Sequence, residues 1–281
     1  MSKRDPLTHE VSRIANFKSP LTNCYTMANA EAPRTLSTTQ TSLDIIELLK
    51  ARGGGRVTEI ADVLDIAPST VHSHLTTLRE AGYITKEGDI YHLGLSFLEL
   101  GEHVRTRKEA HVVAETYTEQ LAEKTGSRAV FLVEEHGKGI YMYTFSGEHA
   151  VWTYSTVGKP APLHATASGK SILSQLPKER VEAIIEQHGL PAKTENTITD
   201  EDTLFEELDR ITERGYAFNR EEQLDGVRAV GVPVVGPDKR VIGAFSVANP
   251  ANRMKGERFE EELPDILLAT ANEFELEISL Q

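Results

Sequence analysis

Apolar residues fall into helical and strand-like periods from about Thr41 onward, and their spacing predicts most elements of the chain. Leu43, Ile45, Ile46, Leu48 and Leu49 form one broad apolar face, and the run stops at Gly53-Gly54-Gly55, a strong breaker. Val57, Ile60, Ala61 and Leu64 then repeat at i, i+3, i+4, i+7, with Thr58 placed as the N-cap. After the turn Asp65-Ile66-Ala67, Pro68 opens a third helix that runs to about Ala81, because a missing N–H is harmless at the first helical position. Gly82 ends it. Tyr83–Lys86 and Asp89–His92 flank the turn Glu87-Gly88 and read as a small hairpin.

The third helix carries the first chemistry. Val71, His74, Leu75 and Leu78 share one face, which makes His74 a packed residue. Ser69, His72, Ser73 and Thr76 share the opposite face, about half a turn round the helix. That face is small, polar and free of carboxylates, whereas an ordinary solvated face in so acidic a chain should carry Glu or Lys. Three short helices followed by a hairpin make a winged helix-turn-helix, whose last helix enters the major groove of DNA. The expected DNA contacts are Ser69, Thr70, His72, Ser73 and Thr76, with Arg79 and Lys86 near the phosphate backbone.

Beyond the hairpin, Ser96 to about Lys108 continues as a helix with an apolar face formed by Phe97, Leu98, Leu100 and Val104, which must be buried somewhere. Further helices are predicted near 112–124, 165–176, 178–188, 200–214 and 257–280. Strands are predicted at 128–135, 139–145, 150–156, 216–221, 227–235 and 240–248. Strands bunched around helices in this order predict an α+β domain on a largely antiparallel sheet. The expected division is an unstructured extension over 1–34, a winged helix-turn-helix over 35–94, a linker helix over 95–112, to which the family resemblance given below adds a role in dimerisation, and an α+β domain over 113–281, which that resemblance makes effector-binding. The extension contains the lone Cys24 and also Met27, which is a candidate start of translation.

Charge changes the picture once it is divided. The 281 residues carry a formal net charge of -13, from 43 Asp+Glu against 30 Lys+Arg, which at first sight argues against a nucleic-acid partner. Residues 34–108, however, hold nine basic and ten acidic groups, while 109–281 hold 17 and 30. A near-neutral DNA-binding part therefore precedes an acidic remainder that need not touch DNA. Abundant acid, with arginine (17) exceeding lysine (13), also fits a protein kept soluble in high salt. There phosphate contacts are screened, and short-range base contacts and dimeric geometry must carry more of the binding. One cysteine, no apolar run of about 18 residues and no apolar signal segment fit a cytoplasmic protein without a membrane span.

Several motifs resemble those of the IclR-type transcriptional regulators. In the first part they are Val57-Thr58-Glu59-Ile60-Ala61, Ser69-Thr70-Val71-His72, Leu75-Thr76-Thr77-Leu78, Gly82-Tyr83-Ile84 and Tyr91-His92-Leu93-Gly94. Over a hundred residues later Pro162–Lys170, Gly215-Tyr216-Ala217, Glu221-Glu222, Gly226-Val227-Arg228 and Gly243–Val247 keep the family's order and spacing. The resemblance runs from about residue 36 to the C-terminus. It implies a GAF- or PAS-like effector domain, a homodimer or tetramer joined through the linker helix, and a regulator that commonly governs a catabolic operon. The implied effector, a carboxylate or another metabolite, lies between the Leu163–Lys170 segment and the strands that follow, where helix-terminal N–H groups suit an anion. Carried over by position, the effector contacts are Leu163, Ala167, Ser168, Asn219, Ala229, Ser246 and Ala248. Asn219 stands where the family has an aspartate, Ala229 replaces a cysteine and Ala248 a serine. Small keto acids are therefore disfavoured, and a larger or less charged effector is expected.

Other motifs lead nowhere. Gly169-Lys170-Ser171 resembles the end of a phosphate-binding loop, but that spacing requires glycine where His164 stands. Ten histidines contain no His-x-x-x-His pair, so no metal site is expected. His164 is read as a structural hydrogen bonder. No cofactor is called for, and no nucleophile motif such as Gly-x-Ser-x-Gly supports the alternative of an enzyme that uses the winged helix for assembly.

Overall fold

The structure is a computed structural model and describes residues 35–148, 150 and 155–280. The extension over 1–34, with Cys24 and Met27, and most of the strand expected at 150–156 lie outside the described residues. The chain divides into two compact units, which meet between Val104 and Arg105.

In the first unit α1 (Ser37–Arg52), α2 (Val57–Leu64) and α3 (Pro68–Glu80) precede the hairpin β1 (Ile84–Glu87) and β2 (Ile90–Leu93). Ile45, Leu48 and Leu49 of α1 pack with Ile60, Ala61, Val71, Leu75, Ile84 and Tyr91 into one core. The apolar period of each helix faces this cluster. The start of α2 differs from expectation: the N-cap is Arg56, and the Glu59 carboxylate reaches back to accept its N–H at 2.8 Å, so Thr58 lies inside the first turn. Gly55 bridges to Tyr91, and the His92 ring bonds the Gly53 carbonyl at 2.9 Å, tying the hairpin to the α1–α2 loop. A Cβ on Gly54, whose φ is 141°, would lie 2.7 Å from that ring. Helix α4 (Ser96–Thr106) follows, and none of its residues is buried; Leu98 is 69% and Val104 55% exposed.

The second unit opens with α5 (Glu109–Thr125). Strands β3 (Arg128–Glu135), β4 (Lys138–Ser146), β5 (Pro160–Ala161), β6 (Ala217–Arg220), β7 (Val227–Val235) and β8 (Val241–Pro250) form one antiparallel sheet in the order β5-β4-β3-β8-β7-β6. Between β5 and β6 lie α6 (Ala167–Leu173), α7 (Lys178–His188) and α8 (Glu201–Arg214), and α9 (Leu263–Ser279) closes the chain. The expected final helix is one π-helical turn, Arg258–Glu262, running into α9.

Alternation along each strand separates two cores. Ala129, Phe131, Val133, Phe245 and Val247 face α5 and α9, while Val130, Leu132 and Ala244 face α6, α7 and α8. Gly231 on β7 is the point of closest approach on the second face: a Cβ there would lie 2.7 Å from backbone atoms of Ala167 and Ser168. Only glycine lets the start of α6 settle onto the sheet.

Candidate functional site

Two regions carry candidate chemistry. The first is the outer face of α3. Ser69, Thr70, His72 and Ser73 are exposed, Thr76 is half-buried, and Arg79 and Lys86 are exposed at the helix end and on the hairpin. Val71 and Leu75 turn inward, and His74 sits half-buried with Nδ1 2.8 Å from the Ser42 hydroxyl. The Ser73 hydroxyl donates to the Ser69 carbonyl at 3.0 Å, which keeps that side chain close to the helix. The Lys86 ammonium lies 5.0 Å from the centre of the Tyr91 ring. At the hairpin turn Asp89 receives Arg56 Nε at 2.6 Å, and this hydrogen bond holds the Asp89 carboxyl below its ordinary range. The hairpin is thereby fixed to the helix that precedes α3.

The second region is a cavity of about 270 Å³ between α6 and the sheet. Its floor is a row of register partners. Arg128 on β3 stands opposite Ser146 on β4 and Ala248 on β8; Ala248 faces Ala229 on β7, which faces Asn219 on β6. Above them lie Pro162, Thr166, Ala167 and Ser168, with Tyr141, Gln223, Leu224 and Val227 at the sides. Of the seven residues expected to contact an effector, Ala167, Ser168, Asn219, Ala229, Ser246 and Ala248 line this space. Leu163 does not. It packs with Leu173, Ile184 and Leu204 and lines a second, mainly apolar hollow of about 230 Å³. In an extended segment neighbouring side chains diverge, so Leu163 turns away where Thr166 and the start of α6 turn in.

The polar groups of the cavity are partly committed. Asn219 Nδ2 donates to the Ala165 carbonyl at 2.8 Å and its Oδ1 accepts from Glu222 N–H at 3.0 Å, so the amide braces the walls. Thr166 caps α6 by accepting the Gly169 N–H at 3.0 Å. Helix α6 has seven residues, and the Thr166 cap uses the N–H of Gly169 in its first turn. The Tyr141 hydroxyl is pushed above its ordinary range by burial.

Arg128, Tyr141, Ser155 and Lys193 also line the cavity, although the sequence reading did not include them. Arg128 is buried. Its Nε donates to the Ser155 hydroxyl at 2.6 Å, Nη2 to the Ser155 carbonyl at 2.5 Å, and Nη1 to the Ser146 hydroxyl at 3.1 Å. Burial pulls this guanidinium below its ordinary value. An arginine opening an otherwise apolar run, Arg128-Ala129-Val130-Phe131-Leu132-Val133, was the one available signal.

Lys170, the lysine of the rejected phosphate loop, is buried, and its ammonium lies between the two Glu222 oxygens at 2.7 and 2.5 Å. It serves the fold. His164 bonds the Pro191 carbonyl at 3.2 Å, a structural use, and burial lowers its pKa. Asp200 caps α8 by accepting the Thr203 N–H at 2.9 Å. Among the described residues no group of three His, Cys, Asp or Glu side chains is placed to hold a metal ion. No described helix is long and apolar enough to cross a membrane.

Two known families match the two units. Residues 38–88 match the IclR helix-turn-helix domain, and residues 103–276 match the C-terminal domain of bacterial IclR transcriptional regulators. The chain belongs to the IclR family. A probable HTH-type transcriptional regulator ArcR of Halobacterium salinarum is 31% identical over 255 residues, covering 89% of this chain and 97% of that protein. The crystal structure of IclR from Thermotoga maritima is 28% identical, with a TM-score of 0.73 over 87% of this chain and 99% of its own. An IclR homologue from Microbacterium hydrocarbonoxydans, complexed with 4-hydroxybenzoate, shares the fold at 20% identity and a TM-score of 0.74, covering 86% of this chain and 98% of that one. The winged helix-turn-helix followed by an α+β effector domain, expected from the residue pattern and the family motifs, is thus the architecture of the family.

Proposed function

We propose that this chain binds a pseudo-palindromic DNA operator as a homodimer or tetramer and releases or engages it according to a small-molecule effector held in the α6 cavity. The observation that carries the reading is the exposed, carboxylate-free polar face of α3 on a winged helix-turn-helix. Ser69, Thr70, His72, Ser73 and Thr76 supply short hydrogen-bonding groups to base edges and phosphates, while Arg79 and Lys86 face the backbone. The unburied apolar side chains of α4 support pairing of two chains along that helix. Ala167, Ser168, Asn219, Ala229, Ser246 and Ala248 form the effector wall. The relatives are named as transcriptional regulators, and the cavity lining holds serines with no histidine or carboxylate to activate them, which disfavours an enzyme. A cytoplasmic protein acting on a catabolic operon fits this reading.

A gel-shift experiment with the gene's own upstream DNA, at low and high salt, tests it. The wild type should give a specific shift, and the double change His72→Glu, Ser73→Glu should abolish it by setting two carboxylates against phosphates. An unchanged shift from the double variant removes α3 from the interface.

A further inference from the structure

We infer that the effector is an anion whose carboxylate binds end-on to Arg128, at the β3 end of the cavity. This deepens the proposed effector reading and rests on it. Three observations converge on the site. First, Arg128 has five N–H groups, and its three hydrogen bonds use one on Nε, one on Nη2 and one on Nη1. One N–H therefore remains on each terminal nitrogen, the pair that grips a carboxylate in a fork. Secondly, no Asp or Glu lines the cavity, and Arg128 forms no ion pair among the described residues. The neighbouring hollow beneath α8 shows the ordinary arrangement: Lys170 pairs with Glu222, Arg214 with Glu207 and Arg220 with Glu260. In a segment with 30 acidic groups against 17 basic, a cavity that holds a buried arginine and a rim lysine but no acid is a local inversion of charge. A buried cation is costly unless it is paired, and among the described residues none supplies a counter-charge, so an anionic ligand is the partner that fits.

Thirdly, the space beside the guanidinium comes from small side chains in its own row. Ala248 stands directly opposite Arg128, and Ala229 opposite Ala248. Strands lie about 4.8 Å apart, so the row from Arg128 to Asn219 spans about 14 Å. A carboxylate at Arg128 therefore carries an apolar body across the two alanines, between Val130, Tyr141, Leu224 and Val227. The class is a small carboxylic acid with a flat or branched apolar body. Lys193, exposed at the mouth, draws the anion in.

The test is thermal denaturation of the full chain with sodium benzoate or acetate, against benzamide or acetamide of the same shapes, at constant ionic strength. Benzoate should raise the wild-type Tm by several degrees and acetate by less, and the amides should do nothing. Arg128→Met should lose the response. Ala248→Leu, which leaves the arginine and fills the space beside it, should lose the benzoate response and so covers the case in which the arginine variant fails to fold. Amides as effective as carboxylates, an Arg128→Met response equal to the wild type's, or no response to either carboxylate overturns the inference. A protein that answers to benzoate through Arg128 but never shifts its upstream DNA would instead keep the anion site and sink the regulator reading.

Discussion

The face of α3 and the cavity under α6 are built by opposite means. The face belongs to one helix; its residues recur every three or four positions, they point outward, and little else in the molecule depends on them. The cavity belongs to a sheet and a short helix, and its floor takes one residue from each of β3, β8, β7 and β6 over more than a hundred positions of sequence. A recognition surface can therefore vary without disturbing the fold, whereas a pocket assembled from register partners shares its supports with the core. Substitutions should separate the two: large effects on folding around the cavity, and almost none on the face.

The largest effect is expected at Lys170. Its ammonium is buried against Glu222, and Glu222 also accepts the Arg220 N–H at 3.2 Å, so removing the lysine leaves a buried carboxylate without its counter-charge. Lys170→Met should destabilise the second unit by about 3–5 kcal/mol, read from the urea midpoint. The double variant with Glu222→Leu should recover much of that loss, because an apolar pair restores neutrality. A loss below about 1 kcal/mol from the single change would show that the pair is solvated and the cavity walls softer than they look.

His111 tests the opposite face of the same sheet. It is buried on α5 near the Phe131 ring, and among the described residues neither ring nitrogen has a hydrogen-bond partner. Burial, aided by the charges of Lys108 and Arg107, pulls its pKa down to about 4. The folded state then takes up the proton only below about 4, and the unfolded chain does so below the ordinary 6.5. Between those limits the unfolded state holds more protons, so stability falls as pH drops, by about 3 kcal/mol in all. His111→Leu should flatten this part of the pH profile relative to wild type, as measured by denaturation from pH 7 to pH 4. Parallel profiles would mean that the ring is hydrated.

Gly231 comes next. Its missing Cβ lets Ala167 and Ser168 rest on β7, and backbone atoms at 2.7 Å cannot step aside as a flexible side chain could. Gly231→Ala should cost about 1–3 kcal/mol by lifting α6 and should weaken effector binding with it. Wild-type stability in this variant would show that α6 has freedom to move.

The same contrast decides what could be read in advance. The helices, most strands and the recognition face follow from periods of 3.6 and 2, which are local properties of the chain. The two-residue strand β5 is too short for any period, and the π turn at Arg258–Glu262 sits inside a pattern that reads as one helix. Six of the seven effector positions come together because family motifs carry long-range order that periodicity lacks. Leu163 fell on the wrong side of an extended segment, where one residue decides the direction. Arg128 and the partnership of Lys170 with Glu222, 52 residues on, depend on strand register and packing. In sequence the one sign of Arg128 is its place at the head of an apolar run, and nothing near Lys170 names Glu222 as its partner.

The smallest expected effect is the sharpest test of the comparison. Ser69, Thr70 and His72 are exposed, and among the described residues their side chains form no hydrogen bond. Each should be replaceable by alanine within about 0.5 kcal/mol of wild-type stability, with alanine's helix propensity helping slightly. On the proposed reading the same changes should weaken operator binding several-fold apiece, because each removes an exposed hydrogen-bonding group from the face proposed to meet DNA. His72→Ala is the most informative of the three. Were it to destabilise the first unit by more than about 1 kcal/mol with no change in DNA affinity, the polar face of α3 would be a structural surface, and the division between an expendable face and a supported cavity would fail at its first term.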